Sequence, residues 1–322
     1  MGKSLYAGVD LGGTSMSAVI ANSRGKVLGE SDTATDKSSW RVTVDQVIEQ
    51  IERAAKDAGI KPSKLEAIGV GAPGAADPKT GVVHRAPNLG WKDVPLGEIL
   101  SEHFGVPIAI GNDVQVAIMG EHAFGAAEGH SRAVGIWVGT GVGGGLIVDG
   151  ELDRGHRGAA GEIGHMVLDE NGPECPCGRK GCAEAYSSRT SMERDVKALI
   201  SSGKKSVIPA LMKEKKKTRM TSSVMERALE ADDAVMKQVL ARAQHHLGLL
   251  AGNIVNLYDP EVIVIGGGVA ARLGESFVAP IRETARTRFL KPDPKGKISI
   301  THATLGDYSG ALGATVLAKK HA

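Results

Sequence analysis

At 322 residues, with 42% hydrophobic and 24% charged residues and a formal net charge of +2, the chain has the makeup of a folded protein and not of a disordered one. Its length favours two domains over a single core. Balanced charge and an aromatic content of 3%, with no rings set among basic residues, argue against nucleic acid as a partner.

Glycine stands out: 43 residues, about twice the usual ~7% share, clustered between apolar runs without a Gly-X-Y period. That distribution points to tight turns where backbone approaches a ligand. The longest uncharged run, Ala133 to Val148, is too short for a membrane span and carries six glycines. No apolar h-region of leader length precedes Asp10, so no secretory leader is expected. Three cysteines, all between 175 and 182, fit a cytoplasmic chain with a local metal site.

In chain order, Leu5 to Asp10 reads as a strand, Leu11-Gly12-Gly13-Thr14 as its turn, and Ser17 to Ala21 and Val27 to Glu30 as two further strands. Val44, Val47, Ile48, Ile51 and Ala55 recur at helical spacing. Leu65 to Gly71 is a strand running into Ala72-Pro73-Gly74, and Val106 to Ile110 another running into Gly111-Asn112-Asp113. Val114 to Phe124 reads as a helix with Asp113 at its N-cap. Val134 to Gly141 then echoes Ala7 to Thr14, which predicts two related half-domains. Beyond the cysteines, Met236, Val239, Leu240, Ala243, Leu247, Leu250, Ile254 and Leu257 form the apolar stripe of a long helix. A buried strand, Val262 to Ile265, stops at Gly266-Gly267-Gly268. The lysine-rich stretch Lys204 to Arg219 reads as a solvated loop or helix face.

Three glycine turns follow strands: Gly12-Gly13-Thr14, Gly139-Thr140-Gly141 with the glycines up to Gly145, and Gly266-Gly267-Gly268. Such turns present successive backbone N–H groups to phosphate oxygens, and threonine hydroxyls add donors. Neither the Walker A nor the GxGxxG spacing fits, so hairpin turns alone remain an alternative. Three clusters with Asp10 beside the first favour a nucleotide, with Asp10 holding Mg²⁺ through water. Asn112-Asp113, at a strand-to-helix step, sets a carboxylate where it can take the proton of a hydroxyl attacking phosphorus, with Asn112 fixing a neighbouring hydroxyl. A simple helix cap is the alternative. Cys175, Cys177 and Cys182 have the short, glycine-separated spacing of a tetrahedral Zn²⁺ site. His156 or His165 would supply the fourth ligand, His165 being preferred because it follows Gly161-Glu162-Ile163-Gly164. Four protein ligands make the ion structural, and buried reduced thiols are the alternative. Glu162 and Glu184 flank this cluster and would be anchored by it as a carboxylate pair for adjacent hydroxyls of a polyol.

Together these residues resemble the ROK family (repressor, open reading frame, kinase). Asp10-Leu11-Gly12-Gly13-Thr14, Asn112-Asp113 followed by Ala117 and Gly120-Glu121, Val138 to Gly145, Gly161 to His165, the cysteine run of 175–184 and Gly266-Gly267-Gly268 occur in the family's order over nearly the whole chain. The resemblance implies an α/β, actin-like (ribonuclease H-like) ATPase fold of two duplicated domains around a cleft. The smaller would span 1–113 plus 300–322, and the larger 114–299 with the zinc knot. It implies ATP, Mg²⁺ and structural Zn²⁺, a small-molecule hexose, and a homo-oligomer, dimer or tetramer. Asp113 would be the general base, and Gly74, Asn112, Asp113, Glu162, His165 and Glu184 would meet the sugar. Asp10, Gly12, Gly13, Thr14, Gly139, Thr140, Gly141, Gly266, Gly267 and Gly268 would hold the nucleotide; His165, Cys175, Cys177 and Cys182 would hold zinc. Glucose is the implied sugar, with N-acetylglucosamine, N-acetylmannosamine, mannose and fructose as alternatives. The family also contains sugar-responsive repressors. Asp10 lies too near Met1 to leave room for their helix-turn-helix, which favours a kinase. Ser15, Gln115 and Arg189 stand where many relatives have other residues, and Lys204–Arg219 looks longer than its counterparts.

Overall fold

The computed structural model describes residues 4–322. By their contacts these fall into two units, Met1–His130 with Leu146–Gly158 and Asp307–Ala322, and Ser131–Gly145 with Ala159–Gly306. The expected boundary at Asp113 lies inside the first unit, because the helix that begins there packs on the C-terminal helix. The C-terminal return to that unit starts at Asp307 and not at 300.

In the first unit, strands Leu5–Leu11 (β1), Ser15–Asn22 (β2) and Val27–Ala34 (β3) form an antiparallel meander. The helix Trp40–Asp57 (α1), started by a Val42 N–H bond to the Ser39 hydroxyl, returns the chain to Ala67–Ala72 (β4), parallel to β1. A small sheet of Ala75–Ala76 (β5), Val83–Ala86 (β6) and Trp91–Val94 (β7) and the helix Leu96–Phe104 (α2) come next. Ile108–Asn112 (β8), parallel to β4, completes the order β3-β2-β1-β4-β8 and leads straight into the helix Asp113–Phe124 (α3).

The central strands are covered on both faces, so they read as apolar runs with little alternation. Ala7, Val9 and Leu11 join the core that includes Val44, Val47 and Ile51 of α1. The intervening residues face the helix Ser309–Lys319 (α11). A Cβ at Gly8 would stand 2.0 Å from the Ala311 carbonyl oxygen, and one at Gly69 1.9 Å from that of Ala314, so glycine on adjacent strands lets α11 lie flush on the sheet.

The second sheet repeats the plan. Ala133–Val138 (β9), Val142–Val148 (β10) and Glu151–Asp153 (β11) correspond to β1, β2 and β3, and the parallel strands Val262–Gly266 (β12) and Ser299–His302 (β13) to β4 and β8, in the order β11-β10-β9-β12-β13. The echo of Ala7–Thr14 in Val134–Gly141 is therefore a duplication of structure. The division between the units falls within β10. Helices Ala183–Ser187 (α4), Arg189–Ser201 (α5), Ile208–Glu214 (α6), Ser222–Glu230 (α7) and Ala234–Tyr258 (α8) precede β12. Gly267–Leu273 (α9) and Glu275–Arg286 (α10) follow it, so Gly266–Gly268 is a strand-to-helix step and not a hairpin. The α8 stripe is buried from Met236 to Ile254, but Leu257 is 81% exposed, because the helix outruns its core before Asp259 ends it at φ +47°. Among the described residues no helix is long and apolar enough to cross a membrane.

Candidate active site

Parallel register in the first sheet sets Asp10 beside Gly71, and Gly71 and Ala72 beside Gly111 and Asn112. This carboxyl edge is where open α/β sheets receive ligands. Asn112, not Asp113, caps α3: the Val114 and Gln115 N–H groups donate to its Oδ1 at 3.0 and 3.1 Å. Its extended backbone (φ −70°, ψ 139°) lets the amide fold over the first N–H groups of the helix, which have no acceptor within it. Asp113 is thereby the first helical residue, partly buried, with the Val114 N–H on its Oδ1 at 2.9 Å. Asn112 Nδ2 donates to the Gly74 carbonyl at 3.1 Å, tying the loop after β4 to the start of the helix. Gly74 has φ +86°, and a Cβ there would meet the Arg85 carbonyl at 2.0 Å.

Gly12 N–H donates to the Ser15 carbonyl at 3.0 Å, closing the β1–β2 turn with Gly13 and Thr14 at its tip. Ser15 thus acts through its backbone. Burial pushes Asp10 up from 3.8 to about 7, and the charges of Asp113 and Asp307 add to the shift. A carboxylate so placed is relieved by a cation, and the residues present fit Mg²⁺. The sequence reading overlooked Asp307, on the turn Gly306–Tyr308 ahead of α11. The available signal was the small-residue run after it: a Cβ at Gly310 would lie 2.3 Å from Asp10 Oδ2, so that helix turn sits against Asp10.

In the second unit the β9–β10 turn closes with Gly139 N–H on the Gly141 carbonyl at 2.9 Å. Glu184 Oε2 accepts the Val142 N–H at 2.8 Å, and a Cβ at Gly141 would come within 2.4 Å of that oxygen. A predicted phosphate turn and a predicted sugar ligand are therefore joined directly. Glu162 begins the turn Ile163–His165, exposed, with no hydrogen-bond partner for its carboxylate among the described residues. Gly266 pairs with Trp137 in the sheet, so the Gly266–Gly268 step shares the carboxyl edge with the Gly139 turn. Arg189, the first residue of α5, donates its N–H to the Gly139 carbonyl at 2.9 Å and its Nη2 to Thr140 Oγ1 at 3.0 Å.

The ligand atoms of His165, Cys175, Cys177 and Cys182 lie within 4.8 Å of one another; His156 is exposed and outside the group. The Cys177 and Cys182 sulfurs are 3.7 Å apart, and Cys175 Sγ is 3.7 Å from His165 Nδ1. A tetrahedral Zn²⁺ with bonds of ~2.3 Å to sulfur and ~2.0 Å to nitrogen requires about 3.8 and 3.5 Å for these separations. The residues fit the ion. Burial pushes the Cys175 thiol up to about 12, whereas Cys177, although burial opposes it, is lowered to about 6 by hydrogen bonds from Arg179 and the neighbouring thiols. A dication lets all three ionise together. His165 turns Nδ1 to the knot, which leaves Nε2 for another partner, and Glu184 Oε1 lies 3.8 Å from Cys175 Sγ.

The sequence pattern described as ROK family matches residues 6–321. The chain is 33% identical to a glucokinase of Halalkalibacterium halodurans over 317 residues, 98% of this chain and 95% of that protein. It is 30% identical to a xylose repressor of Caldicellulosiruptor bescii over 287 residues, 87% of this chain and 70% of that protein. A ROK family glucokinase from Streptomyces griseus, solved in complex with glucose and AMPPNP, matches with a TM-score of 0.84 at 30% identity, covering 98% of this chain and 99% of that one. The duplicated sheets are those of the actin-like ATPase fold expected from the sequence. With its glycine turns, its Asn-Asp step and its Cys/His knot in one continuous match, the chain belongs to the ROK family.

Proposed function

We propose that the protein transfers the terminal phosphoryl group of ATP to the primary (6-) hydroxyl of glucose. The observation that carries this reading is the likeness, over 98% of the chain, to a glucokinase holding glucose and AMPPNP. Asp113 takes the proton of the attacking hydroxyl, and Asn112, fixed by its cap and by Gly74, steadies a neighbouring hydroxyl. Glu162, His165 through Nε2 and Glu184 through Oε1 hold the remaining hydroxyls, with the knot fixing the last two. Gly12–Thr14, Gly139–Gly141 and Gly266–Gly268 bind the nucleotide. Mg²⁺, which Asp10 is suited to hold, neutralises charge on the transferred group when bound. Zn²⁺ is structural, bound by His165, Cys175, Cys177 and Cys182. A cytoplasmic homo-oligomer, dimer or tetramer, belongs to the same reading.

A sugar sensor without catalysis is the second reading, supported by the likeness to a xylose repressor. A coupled assay with ATP and glucose, mannose, fructose, N-acetylglucosamine or N-acetylmannosamine separates the two. Glucose is expected to give the highest kcat/KM, and Asp113→Ala to lower kcat by about 10²–10⁴ while glucose binding stays measurable. Binding without turnover on every sugar would overturn the kinase.

A further inference from the structure

We propose that Arg189, with Arg219 beside it, clamps the terminal phosphates of the phosphoryl donor at the Gly139–Gly141 turn. This deepens the reading of that turn as a nucleotide site and rests on it. The Arg189 guanidinium is partly buried, yet among the described residues no carboxylate lies within 4.0 Å of it. Burial disfavours its charge, the neighbouring Arg219 disfavours it further, and Glu193 offsets the two only in part. A half-buried cation held beside a second cation is an unfavourable arrangement in the absence of an anion.

What the guanidinium touches is the turn itself. Its Nη2 donates to Thr140 Oγ1 at 3.0 Å, so the one proton of that hydroxyl is directed elsewhere. Thr190 Oγ1 donates to the Thr140 carbonyl at 2.8 Å, and Arg219 Nη2 donates to Thr190 Oγ1 at 3.2 Å. Arg219 thus arrives from the far end of the Lys204–Arg219 segment, steadied by Glu193 Oε2 at 3.2 Å. Glu193 offers little compensation to the turn, since it also accepts from Lys197 at 2.6 Å and from the Met220 N–H at 3.1 Å. A guanidinium has five donors in a rigid fork, and among the described residues only one of those of Arg189 is engaged. The remaining ones match two oxygens of a phosphoryl group, the pairing that arginine makes best. A sugar hydroxyl offers no such fork and no charge.

The test is steady-state kinetics of the full chain with glucose and MgATP for wild type, R189A, R189K and R219A, with tripolyphosphate and adenosine as inhibitors. R189A is expected to raise the KM for MgATP about tenfold or more, to weaken tripolyphosphate in parallel, and to leave adenosine inhibition and the KM for glucose within about twofold. R189K, which keeps stem and charge, should recover part of the loss, and R219A should show a smaller rise. Unchanged MgATP and tripolyphosphate constants in R189A would overturn the clamp, and so would equal weakening of adenosine and tripolyphosphate, the mark of a turn merely loosened. Wild-type turnover separates the two ideas: its absence removes the proposed activity, whereas calorimetric binding of tripolyphosphate still decides the clamp.

Discussion

Because burial and the carboxylates of Asp113 and Asp307 raise Asp10 from 3.8 to about 7, the folded chain binds its proton more tightly than the unfolded one does. Between those two values the folded state carries the extra proton, so this residue's contribution to stability falls as pH rises through the window. Asp10→Asn removes the strain. Without added Mg²⁺ it is expected to be more stable than wild type at pH 8 by on the order of 2 kcal/mol. That is less than the ~4 kcal/mol of a three-unit shift, since the carboxylate keeps some solvent contact. The same variant should lose turnover, as residues strained for function commonly do. Denaturant melts at pH 5 and pH 8 check the sign, and a variant no more stable than wild type at pH 8 would remove the claim. At this scale the sequence was legible where chemistry is local. Asn112-Asp113 read as either base or cap, and the structure gives the N-cap position to Asn112, with Asp113 as the first helical residue. Asp307 against Asp10 and Arg189 against Thr140 were illegible, because each joins residues far apart in the chain.

Among the elements, α11 meets the sheet with the least tolerance. At Gly69 an added methyl would stand 1.9 Å from a backbone carbonyl, and backbone cannot rotate aside. Gly69→Ala should therefore destabilise by about 2–4 kcal/mol or prevent folding, read from the midpoint of urea unfolding. A loss under about 0.5 kcal/mol would mean that α11 shifts freely. Strands such as β1 and β4 were readable as apolar runs, and α1 and α8 from their helical period. The two- to four-residue strands β5, β6 and β7 hold too few side chains to show a run. The end of α8 was misread because periodicity reports a face but not where its core stops, which is why Leu257 looked buried.

For the whole molecule, duplication was the most useful sequence signal: one echoed turn foretold that both sheets would share an order. It could not foretell the boundary, because the division depends on how α3 and α11 pack. The knot at 165–182 has four protein ligands and no open position, so a zinc bound there would act on stability and on the placing of His165 and Glu184, not directly on the chemistry. One zinc per chain is expected by elemental analysis, and its removal by a chelator should lower the melting temperature by on the order of 5 °C or more. A metal-free protein melting like the loaded one would remove the metal.

The helix that lies flush on β1 and β4 has a consequence during synthesis. Strand β1 leaves the ribosome roughly 300 residues before α11, an interval of about 15–60 s at ~5–20 residues per second. Through that time the face bearing Tyr6, Gly8 and Gly69 has no cover, and by its end the second unit's own strands and helices, up to Gly306, have all been made. The nascent first unit therefore waits as an open sheet until Ser309–Lys319 has been made. A chain stopped short of Ser309 would carry that exposed face for good.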